Sequence, residues 1–305
     1  MSTHVRGSKG LTGEEYLLID GNNLVYRVFF ALPHLSKGQS PTYIPFGIFR
    51  VLISTMVLVE KPLRPVFFWD SQNSSRRLFH PSYKSRRRKD PDKEVDEELE
   101  RMFRQMGQFK QDLGKMNFPG FEFDGLEADD LIARFILDRP QTVPCLILSA
   151  DQDLFQLLQP GVDVWDFKRK CRFTAADFRN KYGIDSKQWP LFRAITGDKT
   201  DDLVGVPGVG EVRALRYMEV TKSGERRTDA DKRICEKVEY CNDLVERNLR
   251  LMRLPFAGTP HIPFPLPEPS REQFIDYCIQ QGFSQIMRSP HWTRLFGGSG
   301  NEAER

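Results

Sequence analysis

Apolar runs with the length of strands alternate with helical patterns through the first half of the chain. The runs are rich in branched and aromatic residues and predict buried strands over residues 16–20, 65–69 and 143–149. Apolar residues at helical spacing predict helices over residues 24–31, 46–59, 94–115 and 129–137. This alternation predicts an α/β fold with a mainly parallel central sheet flanked by helices.

The second half has a different pattern, because strand signals weaken after Asp166 and helical runs with charged faces dominate. Helices are predicted over residues 175–182, 189–195, 209–220, 229–251 and 270–282. Residues 254–269 carry six prolines and cannot form a regular helix. We therefore expect an α/β core over residues 1–185, a helical region over residues 186–296 and a flexible tail over residues 297–305.

An aspartate closes each of the three predicted strands, at Asp20, Asp70 and Asp151. Because the carboxyl ends of parallel strands meet at one edge of a sheet, we expect these carboxylates to line one crevice. Acidic clusters at residues 127–130 and 198–202 add more charge. So many carboxylates cannot ionise together unless cations offset their repulsion, and oxygen donors suit Mg²⁺. The candidate metal ligands are Asp20, Asp70, Glu127, Asp129, Asp130, Asp151, Asp153, Asp198 and Asp201.

Each acid also has an ordinary structural interpretation. Asp20 precedes Gly21 in a turn-forming sequence, and Asp153 can cap the helical run that follows it. One acid suffices for a cap, whereas several within a few positions add repulsion that bound cations would relieve. The joint occurrence of the acids therefore favours metal binding.

Charge is nearly balanced overall but is segregated along the chain. The 305 residues include 45 Lys and Arg and 42 Asp and Glu, which gives a net charge of +3. A basic run with interleaved aromatics occupies residues 76–89, directly after the strand that ends at Asp70. Such a run can hang over an acidic crevice and hold a polyanion, with Tyr83 stacking on a base. The alternative is a solvated surface loop, where most charge runs belong.

Cysteine and hydropathy patterns limit the class of protein. The five cysteines are odd in number and form no C-x-x-C pair, which argues against a disulfide framework or a zinc site and favours a reducing cytoplasm. The longest apolar stretch, residues 51–59, is too short to span a bilayer, so we expect no membrane association.

A glycine-rich segment at residues 197–210 contains the pattern G-x-x-G-x-G at Gly205, Gly208 and Gly210. A dinucleotide fingerprint has the reverse order and follows a strand, whereas the residues before this segment are predicted to be helical. A tight connection between two helices instead exposes N–H groups that suit a DNA phosphate, with a bound monovalent cation such as K⁺ expected beside it. A purely structural helix hairpin is the alternative.

Together these segments resemble the 5′-nuclease family, which includes the 5′→3′ exonuclease part of bacterial DNA polymerase I, phage 5′-exonucleases and flap endonucleases. Single motifs are weak, but six of them occur in family order and cover residues 16–220. The matching stretches are residues 17–27, 67–70, 83–87, 125–130, 148–153 and 197–210.

The resemblance implies two metal positions. Asp20, Asp70, Glu127, Asp129 and Asp130 would serve the first, and the second would be completed by Asp151, Asp153, Asp198 and Asp201. The residues expected to act on the scissile phosphate or the nucleotide beside it are Lys84, Arg87, Arg27 and Tyr83.

The resemblance also implies a helical arch at about residues 71–100 and a helix–three-turn–helix element that grips DNA. The residues expected to contact DNA are Gly205, Gly208, Gly210, Arg76, Arg77, Arg86, Arg88 and Arg213. The chain departs from the family pattern at Asp202, where the family usually has Asn, and nothing in the family aligns with residues 254–269.

The implied function is a structure-specific 5′ nuclease that hydrolyses DNA and RNA–DNA by two-metal-ion catalysis with Mg²⁺, for which Mn²⁺ can substitute. Expected partners are branched, flapped or 5′-ended DNA, RNA–DNA hybrids and a single-strand-binding protein, and the chain is expected to be a monomer in a bacterial or phage-infected cell. Exonuclease and flap endonuclease activities are not separated by the sequence. Alternatives are a non-catalytic DNA-binding module, a PIN-type single-strand ribonuclease and, more weakly, a haloacid dehalogenase-type phosphatase.

Overall fold

The central element of the fold is a six-stranded sheet with the strand order β3-β2-β1-β4-β5-β6. The computed structural model describes residues 15–31, 43–61, 63–85, 97–224 and 228–296. The strands are β1 (Glu15–Asp20), β2 (Leu63–Phe68), β3 (Gly120–Phe121), β4 (Cys145–Leu148), β5 (Val162–Asp166) and β6 (Cys171–Phe173). A second, two-stranded sheet pairs β7 (Gly197–Asp198) with β8 (Leu203–Val204).

Helices flank the central sheet and make up most of the second half. In the first half they are α1 (Gly21–Ala31), α2 (Tyr43–Val59), α3 (Ser75–Phe79), α4 (Glu97–Lys115) and α5 (Ala128–Asp138). In the second half they are α6 (Ala175–Tyr182), α7 (Trp189–Thr196), α8 (Glu211–Ser223), α9 (Asp229–Tyr240), α10 (Asn242–Met252), α11 (Arg271–Gln280) and α12 (Ser284–Arg288). Short 3-10 helices cover Gln152–Leu157, Ser186–Gln188 and Trp292–Phe296.

Parallel pairing confirms the predicted fold class. β1 lies between β2 and β4, with Asp20 opposite Phe68 and Ile19 opposite Leu148, and β6 is the antiparallel strand of the central sheet. The carboxyl ends of β1, β2 and β4 therefore reach the same edge of the sheet. This edge carries the strand-end aspartates.

The sheet separates two apolar cores because successive strand residues point to opposite faces. Leu18 of β1 packs into a core that continues into α5, α7, α8 and α10, whereas Leu17 packs into a core with α1, α2, α4 and α11. Phe274 of α11 is fully buried and stacks edge-on against Phe49 at 5.0 Å between ring centroids. The predicted helical region 186–296 is thus divided, since residues 271–296 return to the face opposite α7–α10.

Several predicted element bounds differ from the structure. The helix predicted over residues 229–251 is two helices that meet at Cys241, and β5, β6 and the β7–β8 hairpin were not predicted. The proline-rich residues 254–269 contain no helix, as expected. Residues 86–96 of the predicted arch and the tail 297–305 lie outside the described residues. In the part of the chain that the structure describes, no helix has the length and apolar character that crossing a membrane requires.

Candidate active site

The first two strand-end aspartates are held by hydrogen bonds at the carboxyl edge of the sheet. Asp20 is the last residue of β1; its Oδ2 accepts a hydrogen bond from the Ser149 hydroxyl at 2.9 Å, and its Oδ1 accepts one from the Asn23 N–H at 3.0 Å. Asp70 follows β2, and its Oδ1 accepts a hydrogen bond from the Ala128 N–H at 2.8 Å. The start of α5 is therefore joined directly to the end of β2.

These carboxylates lie close enough to raise one another's pKa. Burial, followed by the charges of Asp70 and Asp151, raises the pKa of Asp20 to about 7. Burial also raises the pKa of Asp70, and the charges of Glu127 and Asp151 add to that shift. A divalent cation in this crevice would favour the ionised carboxylates, because an opposite charge stabilises the charged form.

Glu127 accepts hydrogen bonds from three side chains at the start of α5. Its Oε2 lies 2.6 Å from the Lys84 Nζ and accepts the Tyr83 hydroxyl at 3.1 Å, while its Oε1 accepts the Ser74 hydroxyl at 3.1 Å. Burial would raise the pKa of Glu127, but Lys84 and then Arg76 outweigh it and lower the pKa to about 2. Glu127 is thus ionised at neutral pH and holds the Lys84 ammonium beside the acids.

Asp130 is not available as a metal ligand, which corrects the prediction for this residue. It is fully buried, and its two oxygens accept hydrogen bonds from Arg76 at 2.5 and 2.7 Å. Oδ1 also accepts the Phe256 N–H at 2.7 Å, and Oδ2 accepts the Glu127 N–H at 3.3 Å. Glu127 also accepts several hydrogen bonds, but it keeps 7% exposure and its cationic partner is the Lys84 ammonium at the rim of the acids. Asp130 has no exposure and is neutralised by a bidentate arginine pair, so a cation would have to displace the Arg76 guanidinium from the interior.

Asp129 meets the requirements of a ligand better than its neighbour does. Its Oδ1 is buried and has no hydrogen-bond partner among the described residues, and the nearest cationic atom in an ion pair with it is the Arg76 Nη1 at 3.9 Å. Burial and the Asp130 charge raise the pKa of Asp129 well above its usual range. An orphaned carboxylate oxygen in an acidic crevice fits a hard divalent cation, which prefers oxygen donors.

A second group of acids gathers at the β7–β8 hairpin. Oxygens of Asp153, Asp198 and Asp201 all lie within 4.8 Å of one another, an arrangement that can hold a metal ion. The Arg193 guanidinium forms an ion pair with Asp198, and its Nε lies 3.4 Å from the Asp153 Oδ1. Burial and then the Asp151 charge raise the pKa of Asp153 to about 7. The three acids offer carboxylate oxygens to a common point, so this donor set also fits a divalent cation.

One backbone and one side-chain hydrogen bond join the hairpin of the second acid group to the base of the predicted arch. The Lys84 N–H donates to the Asp201 carbonyl at 3.0 Å, and the Ser85 hydroxyl donates to the Asp202 Oδ2 at 3.2 Å. Lys84 and Asp202 both have left-handed backbone angles, with φ of 50° and 59°. Asn and Asp adopt left-handed backbone angles more readily than most other residues. Asp202 therefore fits the same turn as the Asn that is usual in the family, and its side chain also contacts the base of the arch.

The glycine-rich segment is a tight hairpin between α7 and α8. A Cβ on Gly205 would lie 2.5 Å from the Ile195 carbonyl oxygen and even closer to the Thr196 carbonyl, so the close backbone approach requires glycine here. Gly208 has a φ of 73°, and the Arg213 Nη1 donates to its carbonyl at 2.6 Å. The backbone of Gly208 and Gly210 is therefore exposed at the start of α8, with the Arg213 guanidinium beside it.

We expect Gly205→Ala to destabilise the fold by roughly 2–4 kcal/mol, because backbone atoms cannot move aside as a side chain can. The measurement is the free energy of unfolding from urea denaturation. The matched control is Gly107→Ala in α4, where a Cβ meets nothing within 4 Å and should stabilise by about 0.5–1 kcal/mol. Equal effects of the two substitutions would contradict the close approach.

The arginines and the tyrosine predicted to contact nucleic acid differ in exposure, and some lie outside the described part of the chain. Arg76 and Tyr83 are buried, so neither can reach DNA from the surface or stack on a base, and these two predictions are wrong in that respect. The exposed Arg27 lies with its guanidinium 3.9 Å from the ring centroid of Phe167 rather than in a described contact with the acids. Arg77 is partly exposed on α3. The predictions for Arg86, Arg87 and Arg88 concern residues outside the described part of the chain.

Several residues that support the site were missed in the sequence. Ser149 holds Asp20, Arg193 holds Asp198, and the buried Asn248 donates to the carbonyls of Ala194 and Val204 at 3.0 and 2.8 Å. The Lys237 ammonium lies beside Gly208 and adds a second cation to that loop. Ser149 adjoins the Asp151 motif and could have been noticed, whereas Arg193, Lys237 and Asn248 lie in ordinary helical patterns and carry no local signal.

A mainly parallel sheet that gathers acids and a lysine at its carboxyl edge defines a class of α/β proteins whose site is suited to divalent cations. Residues 15–183 match the family described as the 5′-3′ exonuclease, N-terminal resolvase-like domain, and the chain belongs to this family.

The chain is 32% identical over 204 residues to the 5′-3′ exonuclease of Aquifex aeolicus, a match that covers 66% of this chain and 68% of that protein. It is 30% identical over 247 residues to DNA polymerase I of Caldicellulosiruptor bescii, covering 77% of this chain. The match spans 28% of that polymerase. In fold, it is similar to the flap endonuclease of bacteriophage T5 in complex with DNA and metal ions, with a TM-score of 0.62, 20% identity, and coverage of 93% of this chain and 96% of the other.

Proposed function

We propose that this chain is a structure-specific 5′ nuclease that hydrolyses phosphodiester bonds by two-metal-ion catalysis. The observation that carries the proposal is the meeting of two acid groups at one edge of the sheet, with Lys84 in contact with both. Lys84 forms an ion pair with Glu127 of the first group, and its backbone N–H donates to the backbone carbonyl of Asp201, whose charge also acts on the Lys84 ammonium. An α/β module that only bound DNA would gain nothing from such costly, mutually repelling carboxylates.

Mg²⁺ is the proposed metal, with Mn²⁺ able to replace it, because the donors are carboxylate oxygens. Asp20, Asp70, Glu127 and Asp129 would hold one ion, and Asp151, Asp153, Asp198 and Asp201 would hold the other. Divalent ions bound at such sites activate water and offset the charge of the phosphate. The T5 flap endonuclease that shares this fold was crystallised with metal ions, which supports the proposal.

Side chains of the chain itself would position the phosphate. The Lys84 ammonium lies at the rim of the acids and is charged, because Glu127 and other acids raise its pKa even though burial opposes the charged form. It can therefore offset negative charge that develops on the phosphate, together with Arg87 and Arg27. Tyr83 and Ser74 would act indirectly, since both hydroxyls hold Glu127 in one orientation.

The α7–α8 hairpin is the proposed grip on duplex DNA. Gly208 and Gly210 expose backbone N–H groups at the start of α8, where the helix dipole favours a phosphate. A K⁺ ion at this loop would be held by backbone carbonyls and would bridge to that phosphate. Arg213 and Lys237 lie beside this loop, and both are exposed. Arg77 and the arch arginines would contact the strand that approaches the crevice.

Branched, flapped or 5′-ended DNA and RNA–DNA hybrids are the proposed substrates, and removal of RNA primers or flaps during replication is the proposed role. The relatives named DNA polymerase I and 5′-3′ exonuclease support this role, although the chain spans about a quarter of the length of the polymerases. A monomer in the cytoplasm that cooperates with a single-strand-binding protein fits this role.

Cleavage of labelled DNA tests the proposal. We expect the chain with Mg²⁺ to cut a 5′-flap, a nicked duplex and an RNA–DNA hybrid and to leave 5′-phosphates, and we expect EDTA to abolish all three reactions. Product mapping on the three substrates would also separate exonuclease from flap endonuclease preference. Equal cleavage of unstructured single-stranded RNA and of the flap would favour a PIN-type ribonuclease, and tight flap binding without any cleavage would favour a non-catalytic module.

Metal binding should stabilise the fold more as the pH rises. The pKa values of Asp20 and Asp153 are raised from 3.8 to about 7, so the stability that their protonated forms contribute is lost as the pH rises through 7. A divalent cation compensates only the ionised carboxylates. The increase in Tm caused by Mg²⁺ should therefore be larger at about pH 8 than at about pH 5.

The double variant Asp20→Asn with Asp153→Asn serves as the control for this experiment. Its Tm without metal should fall less between the two pH values, and the increase caused by Mg²⁺ should be small at both. A Mg²⁺ effect of the same size at both pH values in the unmodified chain would show that the raised carboxylates do not contribute to metal binding.

A further inference from the structure

Each of the three guanidinium nitrogens of Arg76 donates a hydrogen bond to a protein group. Its Nε donates to the Leu251 carbonyl at 2.7 Å, and its two terminal nitrogens form a bidentate pair with Asp130. The guanidinium also lies 4.9 Å from the ring centroid of Phe256. With only 2% of the residue exposed, this side chain belongs to the interior of the protein.

The partner of Arg76 controls the first turn of α5. Glu127 is the N-cap of this helix, and Asp130 closes a capping box in which its Oδ2 accepts the Glu127 N–H. Asp130 therefore fixes the backbone from which both Glu127 and Asp129 project. It does so only while Arg76 holds the carboxylate in place, because an unpaired charge at zero exposure is strongly unfavourable.

Three segments that are distant in sequence meet at this pair. Arg76 belongs to α3 at the base of the arch, and Asp130 belongs to the acid-bearing α5. The third segment, residues 251–256, begins in the last turn of α10 of the helical region. The last segment contributes both the Leu251 carbonyl to Arg76 and the Phe256 N–H to Asp130. The Arg76 Nη1 is also 3.7 Å from the Glu127 Oε2 and 3.9 Å from the Asp129 Oδ1.

We propose that Arg76 is a positioning residue: through Asp130 it orients the side chains of Glu127 and Asp129 toward the crevice. Its hydrogen bond to Leu251 makes this orientation depend on the packing of the helical region. The inference rests on the proposed function, because the two aimed acids are the proposed ligands of the first metal ion. Lysine cannot replace Arg76, since one ammonium cannot make the bidentate pair and also reach Leu251. Groups behind metal ligands of this kind typically change metal affinity 10- to 100-fold when they are removed.

The test is the affinity of the full chain for Mn²⁺ alone, measured by calorimetry and by electron paramagnetic resonance without DNA. Arg76→Lys and Arg76→Met should each weaken one class of Mn²⁺ site by about tenfold or more and leave the other class unchanged. The matched control is Arg134→Met, which breaks another bidentate arginine pair on α5, with Asp138, at the end of the helix away from the acids. Its Mn²⁺ affinity should stay within about twofold of the unmodified chain.

The double variant Arg76→Met with Asp130→Leu keeps the test decisive if the single variants unfold. Replacing both members of a buried ion pair with apolar residues removes the lone buried charge and can preserve stability. If Arg76 positions the acids, this folded variant still binds Mn²⁺ about tenfold more weakly. Unchanged Mn²⁺ affinity in the folded double variant would overturn the inference, whereas an unmodified chain that binds Mn²⁺ but never cuts flap DNA would overturn the proposed function instead.

Discussion

The rate of cleavage by the Asp153→Asn variant should be at least about 1,000-fold lower than that of the unmodified chain. The variant should nevertheless be more stable than the unmodified chain when metal is absent. The loss is expected because Asp153 contributes to the group formed with Asp198 and Asp201. The gain is expected because burial and Asp151 raise the pKa of Asp153 to about 7, so its ionised form is disfavoured in the fold. Above pH 7 the neutral amide removes that penalty, worth on the order of 1–4 kcal/mol.

Single-turnover cleavage of a 5′-flap and urea denaturation in EDTA at about pH 8 measure the two effects. Asp163→Asn is a suitable control. Asp163 is a half-buried acid of β5, the strand that pairs with β4, and it forms an ion pair with Arg172 at 3.3 Å. We expect this control to retain cleavage. A folded Asp153→Asn variant with normal cleavage would refute the assignment of Asp153, and a less stable one would refute the origin of its raised pKa.

Lys84→Met should lower the rate of cleavage by about 100- to 1,000-fold without weakening metal binding. The ammonium is lost from the rim of the acids, where it lies 2.6 Å from the Glu127 Oε2, whereas the Met side chain keeps the apolar stem. Removing a cation from an acidic crevice makes the crevice more negative, so the affinity for Mn²⁺ should stay the same or rise. A loss of rate and a loss of metal affinity together would show that Lys84 has only a structural role.

Lys110→Met is the matched control for this variant. Lys110 also pairs with a glutamate, with its Nζ 2.8 Å from the Glu122 Oε2, and it lies 4.9 Å from the Trp69 ring centroid, but it makes no described contact with the acid groups. Its loss should cost no more than about 1 kcal/mol of stability and leave cleavage near normal. An equal loss of rate in both variants would indicate a general effect of surface charge.

The strand-end aspartates can be recognised from the amino-acid sequence alone. Strand-end aspartates can be predicted because two local patterns coincide, a buried apolar run and a polar turn directly after it. Parallel pairing then places Asp20 and Asp70 at the same edge by geometry alone. The glycine at position 205 was also predictable as a special backbone position, although the reason, contact with the α7 carbonyls, required the structure.

The roles of neighbouring residues in one motif were not predictable in the same way. Asp129 and Asp130 are adjacent acids of equal chemistry, yet the first has an orphaned oxygen and the second is saturated by Arg76. Arg76 and Arg77 are likewise adjacent, and only the first is buried. Because a helix turns by about 100° per residue, neighbours face different surroundings, and those surroundings come from distant parts of the chain.

The amino-acid pattern alone was enough to predict the mainly parallel α/β fold, the order of the acid motifs and the family, because periodicity and motif spacing are local properties. Tertiary structure decided which acids remain open to a cation and which arginine is buried. It also decided which face of the sheet packs against residues 271–296. The Arg76 guanidinium, for example, meets a carbonyl 175 positions away. No local pattern encodes such a meeting, since burial and pairing arise only when distant segments pack together.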